Sequence, residues 1–252
     1  RGFYRRFQQR ISFLCMKWGK SMAQEMTRKQ RVCASIYHQT PDRVPQGELG
    51  MEAGFIDALL GVNKFSPLER QLKARALLDM DLINLHEFPM QLLRYDENGF
   101  PIYQSAFGDV FKQTKHSYQL MKPSIGDISE VASYKAPDVS LCTTHQVEYF
   151  TESSDLFVFA QINGPISALD WTLGMEDYLC YAITDTELIE EFAKKIMEFE
   201  VARAKKFIEK GADAIMIADD IAFNTGLFLP PAVMEKVGYR IYQSCVAQIK
   251  AY

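Results

Sequence analysis

The chain has 252 residues, of which 48% are hydrophobic and 24% charged, with a net charge of -4 and an isoelectric point near 5.7. This is ordinary globular composition with enough apolar material for a sizeable core, and it excludes an intrinsically disordered chain. The weakly negative charge excludes nucleic acid as the main partner and favours small molecules or proteins.

Cysteine usage and hydropathy indicate the compartment. Five cysteines are scattered along the chain without a Cys-x-x-Cys pair, so we expect no disulfide framework and a reducing, cytoplasmic environment. No run of residues approaches the roughly 18 uncharged apolar residues of a membrane span, and no signal-peptide pattern is present. We therefore expect neither a membrane span nor secretion.

Residues 1–25 form a basic, aromatic N-terminal extension. Arg and Lys side chains dominate this segment, and the aromatic residues interleaved with them are Phe3, Phe7, Phe13 and Trp18. Such a segment is either an amphipathic arm for an anionic surface or a partner, or a solvated extension ahead of Met26.

The first predicted elements after the extension are a helix and a strand. Thr27 is the predicted N-cap of a short helix. The apolar side of this helix consists of Val32, Ile36 and Tyr37. Pro41 and Pro45 then bracket a short extended piece, residues 43–48, which we predict to be the first parallel strand.

Three further strands alternate with helices along the rest of the chain. We predict these strands at residues 81–87, 155–162 and 213–218. The last two are nearly continuous apolar runs, which is the pattern of strands covered on both faces. The predicted helices lie at residues 164–181, 186–210 and 231–249, and the buried stripe of the second consists of Leu188, Phe192, Ile196, Phe199, Ala202 and Phe207.

Residues 94–122 depart from this alternation. Asn98-Gly99 is a strong hairpin-turn signal, Gly108 marks a second turn, and β-forming residues flank both. We predict a β-hairpin excursion from the main fold.

Strand, helix, strand, helix is the order of parallel βα units with right-handed crossovers. The pattern contains four parallel strands, whereas a closed barrel of this type has eight and the sequence stops at Tyr252. We therefore expect residues 26–252 to form the N-terminal half of a TIM (β/α)₈ barrel, incomplete at its C-terminus. An open half-barrel exposes strand edges and apolar helix faces, so we expect the chain either to be a fragment or to pair with a partner, for example in a homodimer.

Three stretches resemble one protein family. They are residues 26–45, with a short helix and a Pro-Asp-Arg-Val-Pro turn; residues 161–165, Gln-Ile-Asn-Gly-Pro; and residues 211–231, with a Gly-Ala-Asp-Ala strand, an acidic exit and a Pro-Pro helix start. Their order and spacing are similar to those of the uroporphyrinogen decarboxylase and cobalamin-dependent methyltransferase superfamily. The resemblance implies a TIM barrel with its site at the C-terminal mouth.

The resemblance leaves two enzymatic branches open. Members that resemble the decarboxylase of porphyrin biosynthesis carry arginines after strand one that meet substrate carboxylates. Here residues 48–54 contain no arginine, and Glu48 and Glu52 would meet a porphyrinogen with like charge. The decarboxylase is therefore the alternative, and the methyltransferase branch is favoured.

The methyltransferase branch implies methyl transfer between a corrinoid protein and a thiol or other acceptor, with zinc activating the acceptor. Family members of this branch carry their zinc ligands in a His-x-Cys pair and a later cysteine, which we expect beyond Tyr252. On this interpretation the segment alone is inactive. A third hypothesis is a truncated, non-catalytic chain that is stabilised by a partner.

The catalytic candidates follow the second and fourth strands. His86 and Glu87 lie where the second strand ends. Because consecutive strand residues point to opposite faces, at most one of them enters the pocket unless the strand has already ended. Asp219 and Asp220 follow the fourth strand. Two adjacent carboxylates either act as an acid, one of them with a raised pKa, or cap the following turn.

The substrate-binding candidates follow the first and third strands. Glu48 either orients a cation, an amine or a hydroxyl group or is exposed to solvent. Asn163 offers both a donor and an acceptor, and Gly164 lets a ligand approach the backbone. Three aromatic residues either line an apolar pocket or pack in the core, namely Trp171, Tyr178 and Phe223. We predict no metal site within this chain.

Overall fold

The computed structural model describes residues 25–61, 64–115 and 117–252, so the predicted N-terminal extension lies outside the described residues except for Glu25. The helices are α1 (Arg28–Ile36), α2 (Ala53–Leu60), α3 (Pro67–Leu77), α4 (His145–Ser153), α5 (Pro165–Leu173), α6 (Met175–Thr184), α7 (Thr186–Glu209), α8 (Pro231–Met234) and α9 (Arg240–Lys250), and a π turn (Glu235–Tyr239) joins the last two. The strands are β1 (Leu82–Leu85), β2 (Met90–Tyr95), β3 (Pro101–Ser105), β4 (Val110–Gln113), β5 (Tyr118–Lys122), β6 (Phe157–Asn163), β7 (Ala214–Ala218), β8 (Ala222–Phe223) and β9 (Gly226–Leu227). None of the helices described is long and apolar enough to cross a membrane.

A parallel sheet forms the centre of the fold. Strand β6 pairs in parallel with β1 on one side and with β7 on the other. The central strand is covered on both faces, since Val158, Ala160 and Ile162 are all 0% exposed. The α/β class is therefore confirmed, and three of the predicted parallel strands are present.

The predicted first strand, residues 43–48, is wrong. This segment runs past the start of β1 and makes one backbone hydrogen bond there, from Asp81 N–H to Gln46 O at 2.7 Å. Pro45 has no N–H group to continue a ladder. Gly47 packs so closely against Leu82 that a Cβ atom would overlap the leucine side chain.

The predicted hairpin is part of a larger antiparallel sheet. Four strands follow one another in the order β2-β3-β4-β5. The turn at Asn98-Gly99 joins β2 to β3, and Gly99 takes a positive φ of 80°, which is the conformation that glycine adopts without strain. Residues 94–122 thus contribute most of a separate sheet rather than one hairpin.

Helix α7 covers one face of the parallel sheet. It is 24 residues long, and it packs on β6 and β7. Four of the predicted stripe residues are buried, namely Phe192, Ile196, Phe199 and Phe207. Leu188 and Ala202 are half-buried at the edges of the stripe. The long periodic pattern therefore located this helix and its buried face.

An ion-pair network ties the start of β1 to helix α1. Asp81 is 0% exposed and accepts hydrogen bonds from Arg31 and Arg43, each at 2.6 Å. Arg31 also pairs with Asp42 at 2.6 Å, and this contact holds the pKa of the Asp42 carboxyl well below its usual range. The Pro-Asp-Arg turn therefore anchors the amino end of the sheet.

The buried face of α1 consists of other residues than predicted, because the ion-pair network includes Arg31 of this helix. Thr27 is the N-cap in a full capping box with Gln30, as expected. Ile36 and Tyr37 are exposed, however, while Arg31 is buried beside Val32. The helix is fixed to the sheet by a paired guanidinium group rather than by a purely apolar side.

Candidate functional site

A cavity lies at the carboxyl ends of two neighbouring parallel strands. His86 directly follows β1, and Asn163 is the last residue of β6. The segment that contains the antiparallel sheet and helix α5 complete the wall of this cavity, whose volume is about 330 Å³. The lining residues are His86, Phe88, Met90, Ser105, Phe107, Asp109, Phe111, Tyr118, Asn163, Ala168 and Trp171.

The solvent exposure of the lining residues shows which of them lie at the opening of the cavity and which lie at its floor. Met90 and Tyr118 are 41% and 44% exposed, so they lie at the opening. Asp109 is only 1% exposed and therefore lies at the floor. The walls are largely aromatic, and Phe111 packs edge-on against Trp171 with ring centroids 4.7 Å apart. A mostly apolar cavity with a few converging polar groups is typical of a small-molecule site.

His86 is neutral in this cavity. Its enclosure by protein groups and the positive charge of Arg203 lower the pKa of the imidazole to about 4, while a hydrogen bond with Asn163 acts in the opposite direction. The residue lines the cavity and keeps part of its surface open to solvent. At neutral pH the ring therefore carries one N–H and one free lone pair.

Asn163 connects His86 to a buried ion pair. The amide Nδ2 donates to Glu200 Oε1 at 3.2 Å, and Arg203 Nη2 lies 2.7 Å from Glu200 Oε2. Both charged residues are 0% exposed. Burial raises the pKa of Glu200, and Arg203 and Asn163 act against that rise. Because the Asn163 amide donates to Glu200, its oxygen is left to accept the His86 N–H.

Arg203 also joins the two strand ends that carry the cavity. It donates to the carbonyl oxygens of Glu87 and Gln161, both at 3.3 Å. Its guanidinium lies 4.8 Å from the Phe88 ring centroid, a cation–π distance. Sequence reasoning missed Glu200 and Arg203, although an acid and a base three residues apart within the apolar stripe of a helix indicate a buried pair.

Glu87 points away from the cavity. Its carboxylate accepts hydrogen bonds from Thr143 Oγ1 at 2.5 Å and from Gln146 N at 3.0 Å, so it holds the start of α4. The side chain is 6% exposed. The alternation along a strand end therefore places His86 in the cavity and gives Glu87 a structural role.

Asp109 is a cavity residue that sequence reasoning did not select. It lies between β3 and β4, where Ser105, Phe107, Asp109 and Phe111 are all buried. The Ser105 N–H donates to the Asp109 carbonyl oxygen across the turn, so these two residues lie opposite each other and share a face with Phe111, two residues further along. An acid among buried aromatic residues was the available signal, and the interpretation of residues 94–122 as an excursion concealed it.

Asp219 caps helix α5 and does not line the cavity. Its carboxylate accepts hydrogen bonds from the backbone N–H groups of Ile166 at 3.0 Å and Ser167 at 2.5 Å, and also from the Tyr242 hydroxyl. Burial raises the pKa of Asp219, and these hydrogen bonds lower it. The capping alternative for this residue is therefore the one observed.

Gly164 serves the same cap. A Cβ atom at this position would overlap the Asp219 carboxylate. The glycine therefore permits a close approach of a side chain within the protein, rather than the approach of a ligand that the sequence suggested.

Two further acidic residues, Asp220 and Asp170, lie near this cap. Asp220 is exposed, and its backbone N–H donates to Ser167 Oγ at 3.0 Å. Burial, followed by the charges of Asp220 and Asp219, raises the pKa of Asp170 to about 6. Sequence reasoning missed Asp170, which sits on α5 without a distinctive motif.

The remaining candidates lie outside the cavity. Glu48 is exposed, and its charge opposes the effect of burial on Arg75, whose pKa is lowered to about 10. Of the three predicted aromatic residues, only Trp171 lines the cavity. Tyr178 is 1% exposed in the core, and Phe223 is 57% exposed. The structure thus brings His86, Asn163 and Trp171 together.

The described residues do not fit a zinc ion. Within residues 25–61, 64–115 and 117–252, no group of three or more His, Cys, Asp and Glu side chains could hold a metal. Cys142 and His145 have metal-like spacing, but Cys142 is buried in the main hydrophobic core, and burial raises the pKa of its thiol. No chemical step at this site can therefore be assigned to zinc held by these residues.

The fold and this site define an α/β protein with a substrate-sized cavity at the carboxyl ends of its parallel strands. The family model for uroporphyrinogen decarboxylase (URO-D) matches residues 113–252. The chain therefore belongs to the uroporphyrinogen decarboxylase family.

A solved structure supports the fold. A methyltransferase from Methanosarcina mazei superposes with a TM-score of 0.67 over 89% of this chain and 68% of that chain, at 17% sequence identity. At this identity the similarity establishes a shared fold and nothing about activity. No curated protein matched the chain in a sequence comparison.

Proposed function

We propose that this chain provides the substrate cavity of a corrinoid-linked methyltransferase. The enzyme would move a methyl group between a corrinoid carried by a partner protein and a small molecule bound beside His86. In this proposal the three parallel strands are part of a (β/α)₈ barrel, in which active sites lie at the carboxyl ends of the strands.

The composition of the cavity is the observation that carries the proposal. None of its described lining residues is Lys or Arg, and aromatic side chains form most of the wall. A porphyrinogen carries many carboxylates and would need cations around them. A small methyl-bearing molecule needs an apolar, dry pocket with few polar contacts, which this cavity offers.

His86 has the position and the protonation state for proton transfer to or from such a molecule. In this proposal the neutral imidazole donates its N–H to Asn163 and keeps the lone pair of its second ring nitrogen for the bound molecule. That nitrogen would accept the proton of a thiol or other acceptor as the methyl group arrives. Asn163, held by Glu200, would keep the ring in this orientation.

The cofactors belong to the proposal as well. A corrinoid supplies the methyl group or receives it, and zinc would need ligands outside the described residues. The contribution of this chain is to bind the small molecule, to exclude water from it and to hold a proton at His86.

Methylation of free cob(I)alamin tests the proposal. The full-length protein is incubated with cob(I)alamin and, in turn, a methylated amine, a methyl thioether and a methyl ether, and methylcobalamin is followed by absorbance. We expect methylcobalamin with at least one class. With a thioether or an ether the leaving thiolate or alkoxide must be protonated, which is the reverse of proton uptake by His86, so we expect His86→Ala to lower that rate by about a hundredfold.

His38→Ala is the matched control, because His38 is exposed at the end of α1 and lies outside the cavity. We expect this variant to keep the rate. Failure of all three classes contradicts the proposal. Turnover of uroporphyrinogen by the same protein contradicts it in favour of the decarboxylase.

A further inference from the structure

The floor of the cavity holds an acid that no cation balances. Asp109 accepts hydrogen bonds from Ser105 Oγ at 2.9 Å and from the Ser124 N–H at 3.2 Å, both neutral donors. No ion pair joins Asp109 to a Lys or Arg among the residues that the structure describes. Because a buried carboxylate is costly as an unpaired ion, burial raises the pKa of this group.

Aromatic rings line the same cavity as this acid. Phe107 and Phe88 have ring centroids 5.3 Å apart, and Phe111 and Trp171 have ring centroids 4.7 Å apart. All four line the cavity together with Asp109. A carboxylate among aromatic rings is the combination that attracts organic cations, because the ring faces carry partial negative charge and the acid carries a full one.

We propose that the small molecule bound in this cavity is an N-methylated ammonium ion, with its positive charge paired to Asp109 and its methyl groups against the aromatic walls. This inference rests on the proposed function, because it names the substrate class of the same site. A thioether or an ether would leave Asp109 without a cation. An anion would meet the acid with like charge.

The other groups near the cavity are compatible with a cationic ligand. His86 is neutral, so it does not repel the ligand. Arg203 is not a lining residue of the cavity; it lies over the Phe88 ring and is paired with Glu200. Asp109 is therefore the one uncompensated charge among the described residues that line the cavity.

Trp171 provides a direct probe of binding. The chain has two tryptophans, Trp18 and Trp171, so the variant Trp18→Phe leaves only the tryptophan in the cavity wall. Its fluorescence is titrated with choline and with 3,3-dimethyl-1-butanol, which has the same shape with carbon in place of the charged nitrogen, at constant ionic strength. We expect saturable binding of choline, and binding of the neutral analogue that is at least about tenfold weaker.

Asp109→Asn removes the charge and keeps the shape of the side chain; its amide oxygen can still accept from the Ser124 N–H, and its NH2 group can donate to Ser105 Oγ. We expect this variant to bind choline at least about tenfold more weakly than before, with the neutral analogue unaffected. Asp177→Asn is the matched control, because Asp177 is exposed on α6 and its removal changes the net charge equally. Circular dichroism of each variant confirms that it is folded.

Two results overturn the inference: equal affinity for choline and its neutral analogue, or an Asp109→Asn variant with unchanged preference for the cation. Its failure is distinguishable from failure of the proposed function. Methylation of cob(I)alamin by ethers or thioethers without choline binding leaves the methyltransferase and removes the ammonium substrate. Choline binding without any methylation leaves the cation site and removes the methyltransferase.

Discussion

His86 and Glu87 leave the same strand and meet opposite environments. His86 enters an aromatic cavity and becomes neutral, whereas both carboxylate oxygens of Glu87 hold the start of α4. One peptide unit thus separates a group available to a ligand from a group used by the fold. The difference arises from the opposite directions of successive side chains in extended backbone.

The protonation state of His86 is directly measurable. The pKa of about 4 in the folded protein lies below the value of about 6.5 for an unfolded chain. The unfolded state therefore binds the proton more readily, so the contribution of His86 to stability falls as pH drops below about 6.5 and levels off below about 4.

Nuclear magnetic resonance titration of the imidazole C–H signal, assigned with His86→Gln, measures this pKa. We expect a midpoint near 4. A midpoint at or above the value for an unfolded chain would show that His86 is not enclosed as described.

At the residue scale, the position of a residue at a strand end was predictable from sequence, whereas its enclosure by distant elements was not. His86 and Asn163 were predicted because they lie at the ends of strands, and both line the cavity. Asp109, Glu200 and Arg203 were missed, since their burial arises from elements that lie far apart in sequence. The type of a residue does not show which residues from distant parts of the sequence will bury it.

At the element scale, the contact between the end of β7 and the start of α5 depends on one carboxylate. Asp219 accepts two backbone N–H groups of α5. We expect Asp219→Ala to lower the free energy of unfolding by about 1–2 kcal/mol, as the loss of a helix cap does. Asp220→Ala removes the exposed neighbour and should change stability by less than about 0.5 kcal/mol.

Chemical denaturation of the two variants measures both values. Equal effects of the two substitutions would contradict the assignment of Asp219 as the cap.

Gly164 belongs to the same contact. An alanine Cβ would overlap the Asp219 carboxylate, so we expect Gly164→Ala to destabilise the fold by about 1–3 kcal/mol. Gly54 provides the control, because it lies within α2 and no heavy atom lies within 4 Å of a Cβ placed there. Gly54→Ala is therefore expected to be neutral or to stabilise by up to about 1 kcal/mol.

The stabilities of Gly164→Ala and Gly54→Ala are compared by their thermal unfolding midpoints. A Gly164→Ala protein that is as stable as Gly54→Ala would mean that the cap tolerates a methyl group, against the geometry described.

At the element scale, the sequence predicted the helices and strands with strong hydrophobic periodicity. It did not predict the segments whose structure depends on their backbone hydrogen bonds. The 24-residue α7 and the apolar strands β6 and β7 were found from their patterns. Residues 43–48 were extended and flanked by prolines, yet they make too few backbone hydrogen bonds to be a strand. The predicted final helix, residues 231–249, contains a π turn just before Tyr242, which donates to Asp219. No periodicity reveals such a turn.

At the scale of the whole molecule, the order of the motifs was more informative than any one of them. The match of the URO-D family model to residues 113–252 confirms the family that three short motifs indicated. The cavity could not be predicted in the same way, because one wall comes from parallel strand ends and the other from the segment that was interpreted as an excursion.

The central claim is that this cavity holds the substrate of a methyltransferase. Ala168 lines the cavity from α5 and is 1% exposed, so Ala168→Phe places a ring in the space that the substrate would occupy. Ala247→Phe makes the same change on the exposed face of α9 and is the matched control.

The most direct measurement is the rate of cob(I)alamin methylation by these two variants and the unchanged protein, with the methyl compound that the protein accepts. We predict that Ala168→Phe lowers this rate by at least about a hundredfold, since loss of substrate positioning has effects of that order, while Ala247→Phe leaves it unchanged. A folded Ala168→Phe protein that transfers methyl groups at the original rate would contradict the claim.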